Sequence, residues 1–329
     1  MPVSALTSMR KVLLVTAVAF PLFLSCGADL SIPQEEDGGA KRRITLRSTN
    51  EGIKHLDLLV FRREDGVLTS RESIANGDKA FSIVNGRDYN LYLFGNAPEG
   101  LLDGILYEGN LAETILSLED DDITWPVMFG AAHLDAGHYD SPIEFSLGKY
   151  ISKVTLGSVT VKWLDEYDYT PACSISRIGL VNVTGSIPLV GGPYTNGTWH
   201  NCGEIEPSLP EGLAGKIILS SPVTVTGPSA IPMNVSFYAM PNPLDSDGWG
   251  LPWSPRRTRL TLELIIEGIP NWYPVDLPAM ECGYEYLIKD LIITGPGSSG
   301  PDEMIERSKI ELSIEVNPWE TESLRIEFE

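Results

Sequence analysis

Positive charge is scarce in this 329-residue chain. It has 24 lysines and arginines against 45 aspartates and glutamates, for a formal net charge of −21. A surface of that sign repels phosphate backbones and anionic headgroups, which argues against nucleic-acid binding. Histidine and cysteine are also scarce, with four of each. Cys26, Cys173, Cys202 and Cys282 show no C-x-x-C spacing, so a zinc ribbon or dithiol redox motif is not indicated. With Cys26 set aside, three thiols remain. Cys173 and Cys202 flank a strand pair and could bridge, leaving Cys282 odd, or all three stay reduced. G-x-S-x-G, H-E-x-x-H and a P-loop are all missing, and no other catalytic constellation replaces them. The chain therefore reads as a non-enzyme with no cofactor and no resident metal. Convincing helices longer than about three turns are missing too, which disfavours a βαβ architecture.

Several polar clusters stand out as candidate sites. His133, Asp135 and His138 lie close together but read as a polar loop. Asp245-Ser246-Asp247-Gly248 resembles part of a calcium loop and lacks the downstream bidentate glutamate. Glu119-Asp120-Asp121-Asp122 reads as an exposed acidic turn rather than a cation site. Trp249 and Trp253 offer either an aromatic platform for a sugar or packing.

What is present begins at the start of the chain. Arg10 and Lys11 precede an apolar run from Val12 to Leu24 with no ionisable group, and Ser25-Cys26-Gly27 follows. A basic segment, a short apolar segment and small residues make an export signal. A membrane span needs about 20 apolar residues, more than this run supplies. Leu24-Ser25-Cys26-Gly27 is similar to a bacterial lipobox, which makes Cys26 the expected acylation site and residues 1–25 a lipoprotein signal peptide. Removing residues 1–25 takes away two bases and no acid, so the net charge of −21 becomes −23.

Residues 26–43 carry Gln34-Glu35-Glu36-Asp37 and Gly38-Gly39 and read as an acidic tether. Beyond them come short alternating runs broken by turn residues. Leu56 to Phe61 and Tyr89 to Phe94 alternate with period two, as half-buried strands do. Leu111, Ile115 and Leu118 suggest one short helix. Ile143 to Leu147, a long run from Lys149 to Trp163, and later segments at 176–183, 216–219, 233–240, 259–266, 284–293, 309–316 and 322–328 read as further strands. Many short strands with Gly and Pro turns indicate β-sandwiches, with a boundary between residues 141 and 142.

The order of these motifs carries a resemblance. Leu58-Leu59-Val60-Phe61 leads to Asp65-Gly66, then Tyr92-Leu93-Phe94-Gly95-Asn96-Ala97 and Met128-Phe129-Gly130. Ile143-x-Phe145-x-Leu147 precedes Ile151-x-Lys153-Val154, and Gly283-Tyr284-Glu285-Tyr286 precedes Ile314-x-Val316-Asn317-Pro318-Trp319. Over nearly all of the chain past Cys26 this resembles the fimbrillin superfamily, the subunits of type V pili of Bacteroides-type bacteria. The resemblance implies an all-β chain of two tandem transthyretin-like β-sandwiches, 44–141 and 142–329, displayed on the outer membrane as a fimbrium. It implies a structural and adhesive shaft, tip or anchor subunit with no cofactor. Its partners would be other fimbrial subunits or itself, the outer membrane through the lipid, and a host protein or glycan. In pilus-forming members an arginine-specific protease removes the first strand and a neighbour's strand fills the gap. Arg43 and Arg47 are then candidate cleavage sites. Leu324, Ile326 and Phe328 mark either a donor strand or the last strand of its own sheet. The alternative is a stand-alone surface lipoprotein that binds a glycan or other ligand.

Overall fold

In the computed structural model, residues 41–47, 52–74, 80–84, 86–137, 143–163, 171–191, 197–205, 222–247, 253–305 and 309–328 are described. The first half contains β1 (Lys41–Arg47), β2 (Leu56–Arg62), β3 (Leu68–Ile74), β4 (Ala80–Val84), β5 (Tyr89–Gly95), α1 (Asn110–Glu113), β6 (Ile115–Ser117), β7 (Met128–Leu134) and β8 (Ile143–Lys149). Then follow β9 (Ser152–Val161), β10 (Cys173–Val181), β11 (Val183–Thr184), β12 (Ser186–Pro188), β13 (Trp199–His200), β14 (Val223–Val225) and β15 (Ile231–Ala239). The chain continues through β16 (Arg259–Ile266), β17 (Ile269–Asp276), β18 (Tyr284–Ile293), β19 (Ile310–Glu311), β20 (Ile314–Pro318) and β21 (Glu322–Phe328). The fold is all-β, as the alternating runs indicate. The short helix expected over Leu111–Leu118 is confined to Asn110–Glu113. Thr114 is extended, and β6 takes over by pairing with β12.

Period-two alternation builds the first sandwich. Leu56, Leu58 and Val60 of β2, with Tyr89, Leu91 and Leu93 of β5, face one core. The interleaved Leu59, Phe61 and Phe94 face the other side and belong to a second core. There Phe61, Tyr92, Phe94, Phe129 and Tyr150 form a row of ring contacts with centroids 5.3–6.0 Å apart. The sheet order is β3-β2-β5-β7-β8-β21-β1-β4, with every neighbour antiparallel. The β7–β8 ladder lasts only two pairs, Met128↔Lys149 and Phe129↔Gly148. There the sheet folds over, so that Ile143, Phe145 and Leu147 of β8 pack onto the β2 and β5 side chains. Gly130 lies at the crossing. A Cβ on it would stand 2.7 Å from Leu147 Cδ2 and 2.8 Å from the Ser146 carbonyl, so the close approach requires glycine. The inward side chains of β8 thus fill the first core, and the chain crosses to the second sandwich at Lys149–Ile151.

The second sandwich stacks β14-β10-β16-β17 on a sheet of β15-β9-β18, with β19 and β20 both on the far side of β18. Its centre is a parallel β9–β18 ladder of eight pairs, the kind of pairing that needs a long crossover. Val154, Leu156, Tyr286 and Ile288 of one sheet meet Ile175, Leu180, Leu262 and Tyr273 of the other. Two of its edges are guarded. The β17 edge is covered by Ser298, which exchanges two backbone hydrogen bonds with Trp272 at 2.8 and 2.9 Å. At the β15 edge, Pro232 and a bulge at Asn234, with φ +48°, interrupt the ladder. Both devices blunt strand addition.

Candidate functional site

The arrangement with a consequence for assembly is the pair of terminal strands. β21 lies between β8 and β1. It makes five register pairs with β8, from Glu322↔Leu147 to Ile326↔Ile143, and four with β1, from Ile44↔Phe328 to Arg47↔Arg325. The far side of β1 pairs with β4, from Lys41↔Val84 to Thr45↔Ala80. The strand bearing Leu324, Ile326 and Phe328 therefore sits in the chain's first sandwich, although it follows β20 of the second. Of the candidate cleavage residues, Arg43 is within the β1–β4 ladder opposite Ser82, and Arg47 is the last residue of β1. Cys26 lies outside the described residues.

The root of β21 is held at the point where the chain crosses between sandwiches. Trp319 N–H donates to the Gly283 carbonyl at 2.6 Å, and its ring stacks on Tyr238 at 6.0 Å. Lys149 Nζ lies 4.6 Å from the Trp319 ring centroid and donates to the Glu320 carbonyl at 2.9 Å. Burial pulls the Lys149 ammonium below its ordinary pKa, against the opposing pull of Glu322 and Glu320. Tyr150 N–H donates to the Val127 carbonyl at 3.0 Å, and its hydroxyl donates to the Leu189 carbonyl at 2.6 Å. The two crossings, Lys149–Ile151 and Trp319–Thr321, are thus tied together.

The polar clusters singled out in the sequence have structural employment. His133 Nδ1 is 2.7 Å from Asn90 Oδ1, Asp135 pairs with Arg63 at 3.3 Å, and His138 lies outside the described residues. Asp247 is engaged by Arg259 and lies 3.6 Å from Arg257, while the Asp245 carbonyl accepts from Arg257. Trp253 packs edge-on against Trp199 at 5.5 Å and donates through Nε1 to Asn182 at 3.1 Å; Trp249 lies outside the described residues. Cys173 is buried in the second core and shares no disulfide with Cys202. Among the described residues no group of three His, Cys, Asp or Glu side chains could hold a metal ion. Among the same residues no helix is long and apolar enough to cross a membrane.

Two further arrangements leave little trace in the sequence. Arg259 is only 2% exposed, yet it meets Asp247, Asp276 and Asp302 together, and Arg256 and Arg257 reach Asp302 and Asp276 at 3.2 and 3.4 Å. Three bases and three acids balance, as a buried charge requires. The signal was the clustering of Arg256, Arg257 and Arg259 in a base-poor chain. Within the acidic run, Asp120 and Asp122 are exposed as expected, but Asp121 is 3% exposed. Its Oδ1 accepts from Val127 N–H at 2.9 Å, and its Oδ2 has no hydrogen-bond partner. Burial pushes this carboxyl up to about 7, with Asp122 adding to the effect.

The class this fold defines is an all-β protein of stacked β-sandwiches with a C-terminal strand that returns to the first of them. Solved structures share it. A candidate cell adhesion protein from Bacteroides eggerthii DSM 20697 superposes with a TM-score of 0.59 at 15% identity, covering 87% of this chain and 98% of that one. A second candidate cell adhesion protein, from Parabacteroides distasonis ATCC 8503, gives 0.59 at 13% identity, covering 85% and 100%. The fimbrilin FimA of Porphyromonas gingivalis W83 gives 0.54 at 14% identity, covering 83% and 92%. At such identities the likeness is one of fold. No family model matches the sequence, and no curated protein does.

Proposed function

We propose that this chain is a fimbrillin-like subunit of a cell-surface fibre, structural and adhesive, joined to other subunits by strand exchange. An acylated Cys26 holds the uncut chain at the outer membrane, and a host protein or glycan is the outward partner of the assembled subunit. The observation that carries this reading is the position of β1. It lies between two strands, β21 and β4, and it ends at an arginine. Cleavage after Arg47 would release β1 whole and leave two facing rows of unpaired backbone groups. An extended segment from another subunit restores both ladders, which is β-augmentation. Cleavage after Arg43 would leave half the strand in place, so Arg47 is the productive site. The shared fold with FimA supports the reading. The acyl chains carry tens of CH₂ groups at about 0.8 kcal/mol each, so the uncut chain stays attached through Cys26 until the cut separates residues 26–47 from the rest.

Digestion of the folded protein by an arginine-specific protease tests this, with the cut mapped by mass. The expected result is a cut after Arg47 that leaves a folded chain able to take up an extended peptide. A chain that resists the protease at Arg47, or unfolds on losing β1, contradicts it. Separately, a Cys26→Ala variant is expected to leave the membrane fraction.

A further inference from the structure

This inference rests on the strand-exchange reading: we propose that β21 is a fixed wall of the acceptor groove rather than the strand this chain gives away. The segment accepted in place of β1 is then a basic, extended strand of a different subunit. The chain is a strand acceptor that does not polymerise with itself through β21.

Geometry carries the first part. The local order is β8-β21-β1-β4. Neighbouring strands are about 4.8 Å apart, so β8 and β4 are separated by about 14 Å across the two strands between them. When β1 leaves, the β8–β21 ladder remains, and the gap is one strand wide. If β21 left as well, the gap would be two strands wide, and a single incoming strand could not pair with both walls. One-strand exchange is therefore compatible only with a β21 that stays.

Energetics point the same way. A β21 given to the β1 gap of a second copy would restore two ladders there, but it would give up its own β8 ladder and widen the gap at home to two strands. At home it is tethered by the three-residue connector Trp319–Thr321, which is pinned through Trp319 to Gly283 and Tyr238 and through Glu320 to Lys149. A short tether gives an effective concentration on the order of millimolar, so the intramolecular arrangement wins at ordinary protein concentrations.

Charge identifies the partner. β1 reads Lys-Arg-Arg-Ile-Thr-Leu-Arg and carries four positive charges in a chain of net charge −21. β21 reads Glu-Ser-Leu-Arg-Ile-Glu-Phe, with two acids and one base. Loss of β1 makes the remaining chain more acidic still. A basic segment complements that field, and a second copy's β21 opposes it.

The test locks β21 to β8. Glu144 and Arg325 are register partners, and a Glu144→Cys/Arg325→Cys pair, made in a Cys282→Ser background because Cys282 is exposed, closes on oxidation. Locked and unlocked chains are cut after Arg47 and titrated with labelled peptides of residues 40–48 and of residues 321–329, read by fluorescence anisotropy. Both chains are expected to take up the 40–48 peptide with affinities within about twofold, and the 321–329 peptide at least tenfold more weakly, a difference of about 1.4 kcal/mol. The cut wild-type chain is expected to remain a monomer by light scattering at high concentration, a readout that needs no variant. Oligomer ladders of the unlocked chain that vanish on locking would make β21 the donor and overturn the inference while leaving strand exchange standing. Equal uptake of the two peptides would overturn the choice of partner. Uptake of neither peptide by either chain would overturn the inference together with the strand-exchange reading beneath it.

Discussion

The two sandwiches are completed by different means. The first is closed by strands from far apart in the chain, with β1 and β21 side by side although they span residues 41–47 and 322–328. The second is closed by its own loops, with Ser298 over the β17 edge and the Arg259 cluster tying residues 247, 256, 257, 276 and 302 together. On the proposed reading, strand pairing by the chain ends leaves a sheet that a single cut after Arg47 opens. Loop cover at the β17 edge and the buried Arg259 cluster tie the second sandwich together without the chain ends. The difference sets a half completed by the two chain ends beside a half completed within itself.

The most severe way to break the comparison is to delete residues 322–329. That removes both β21 ladders, and the loss is expected to approach a domain's whole stability, about 5–10 kcal/mol. Hydrogen exchange should show β1, β4 and β8 losing protection while β9 and β18 keep theirs. Next is Arg259→Met, which leaves Asp247, Asp276 and Asp302 without their shared buried partner. A loss of about 3–5 kcal/mol in urea unfolding is expected, confined to the second sandwich. Gly130→Ala then strikes the fold-over of the first sheet. The added methyl meets Leu147 and the Ser146 carbonyl, at an expected cost of about 1–3 kcal/mol.

Asp121 sharpens the comparison through pH. Its folded pKa, about 7, lies above the ordinary carboxylate value of 3.8. The stability its protonated form contributes is fully present below about pH 4 and is lost as pH rises through about 7. Asp121→Asn is expected to flatten this slope and to raise stability at pH 8 by about 1–3 kcal/mol, with little change at pH 4. Thermal melts at the two pH values check it; equal gains at both would contradict it. The smallest effect is expected from Lys149→Met, which keeps the stem but removes the contact with Trp319 and the bond to Glu320. A loss of about 1 kcal/mol is expected, with faster exchange in β21 than in β9.

Local pattern made much of the fold legible. Alternation in Ile143–Leu147 located a strand that buries one face, whereas Leu56–Phe61 and Tyr89–Phe94, which read as half-buried strands, are strands buried on both faces between two cores. The partner of Glu322–Phe328 was not legible, since register between strands some 180 residues apart leaves no local trace. Leu111–Leu118 had helical spacing, but pairing of Ile115–Ser117 with Ser186–Pro188 overrode it. Asp121 was hidden because an acidic run announces a turn and not the depth of one carboxyl within it. The Arg259 cluster draws on residues from 247 to 302, and no spacing rule joins them.

Hydrogen exchange of the intact chain, read by mass spectrometry, tests the central claim most directly. If β21 is an interior strand of the first sheet, residues 322–328 will be protected to the same degree as residues 143–149. Rapid exchange of residues 322–328 while 143–149 stay protected would show the last strand to be a loose tail, and the account of the paired ends would be wrong.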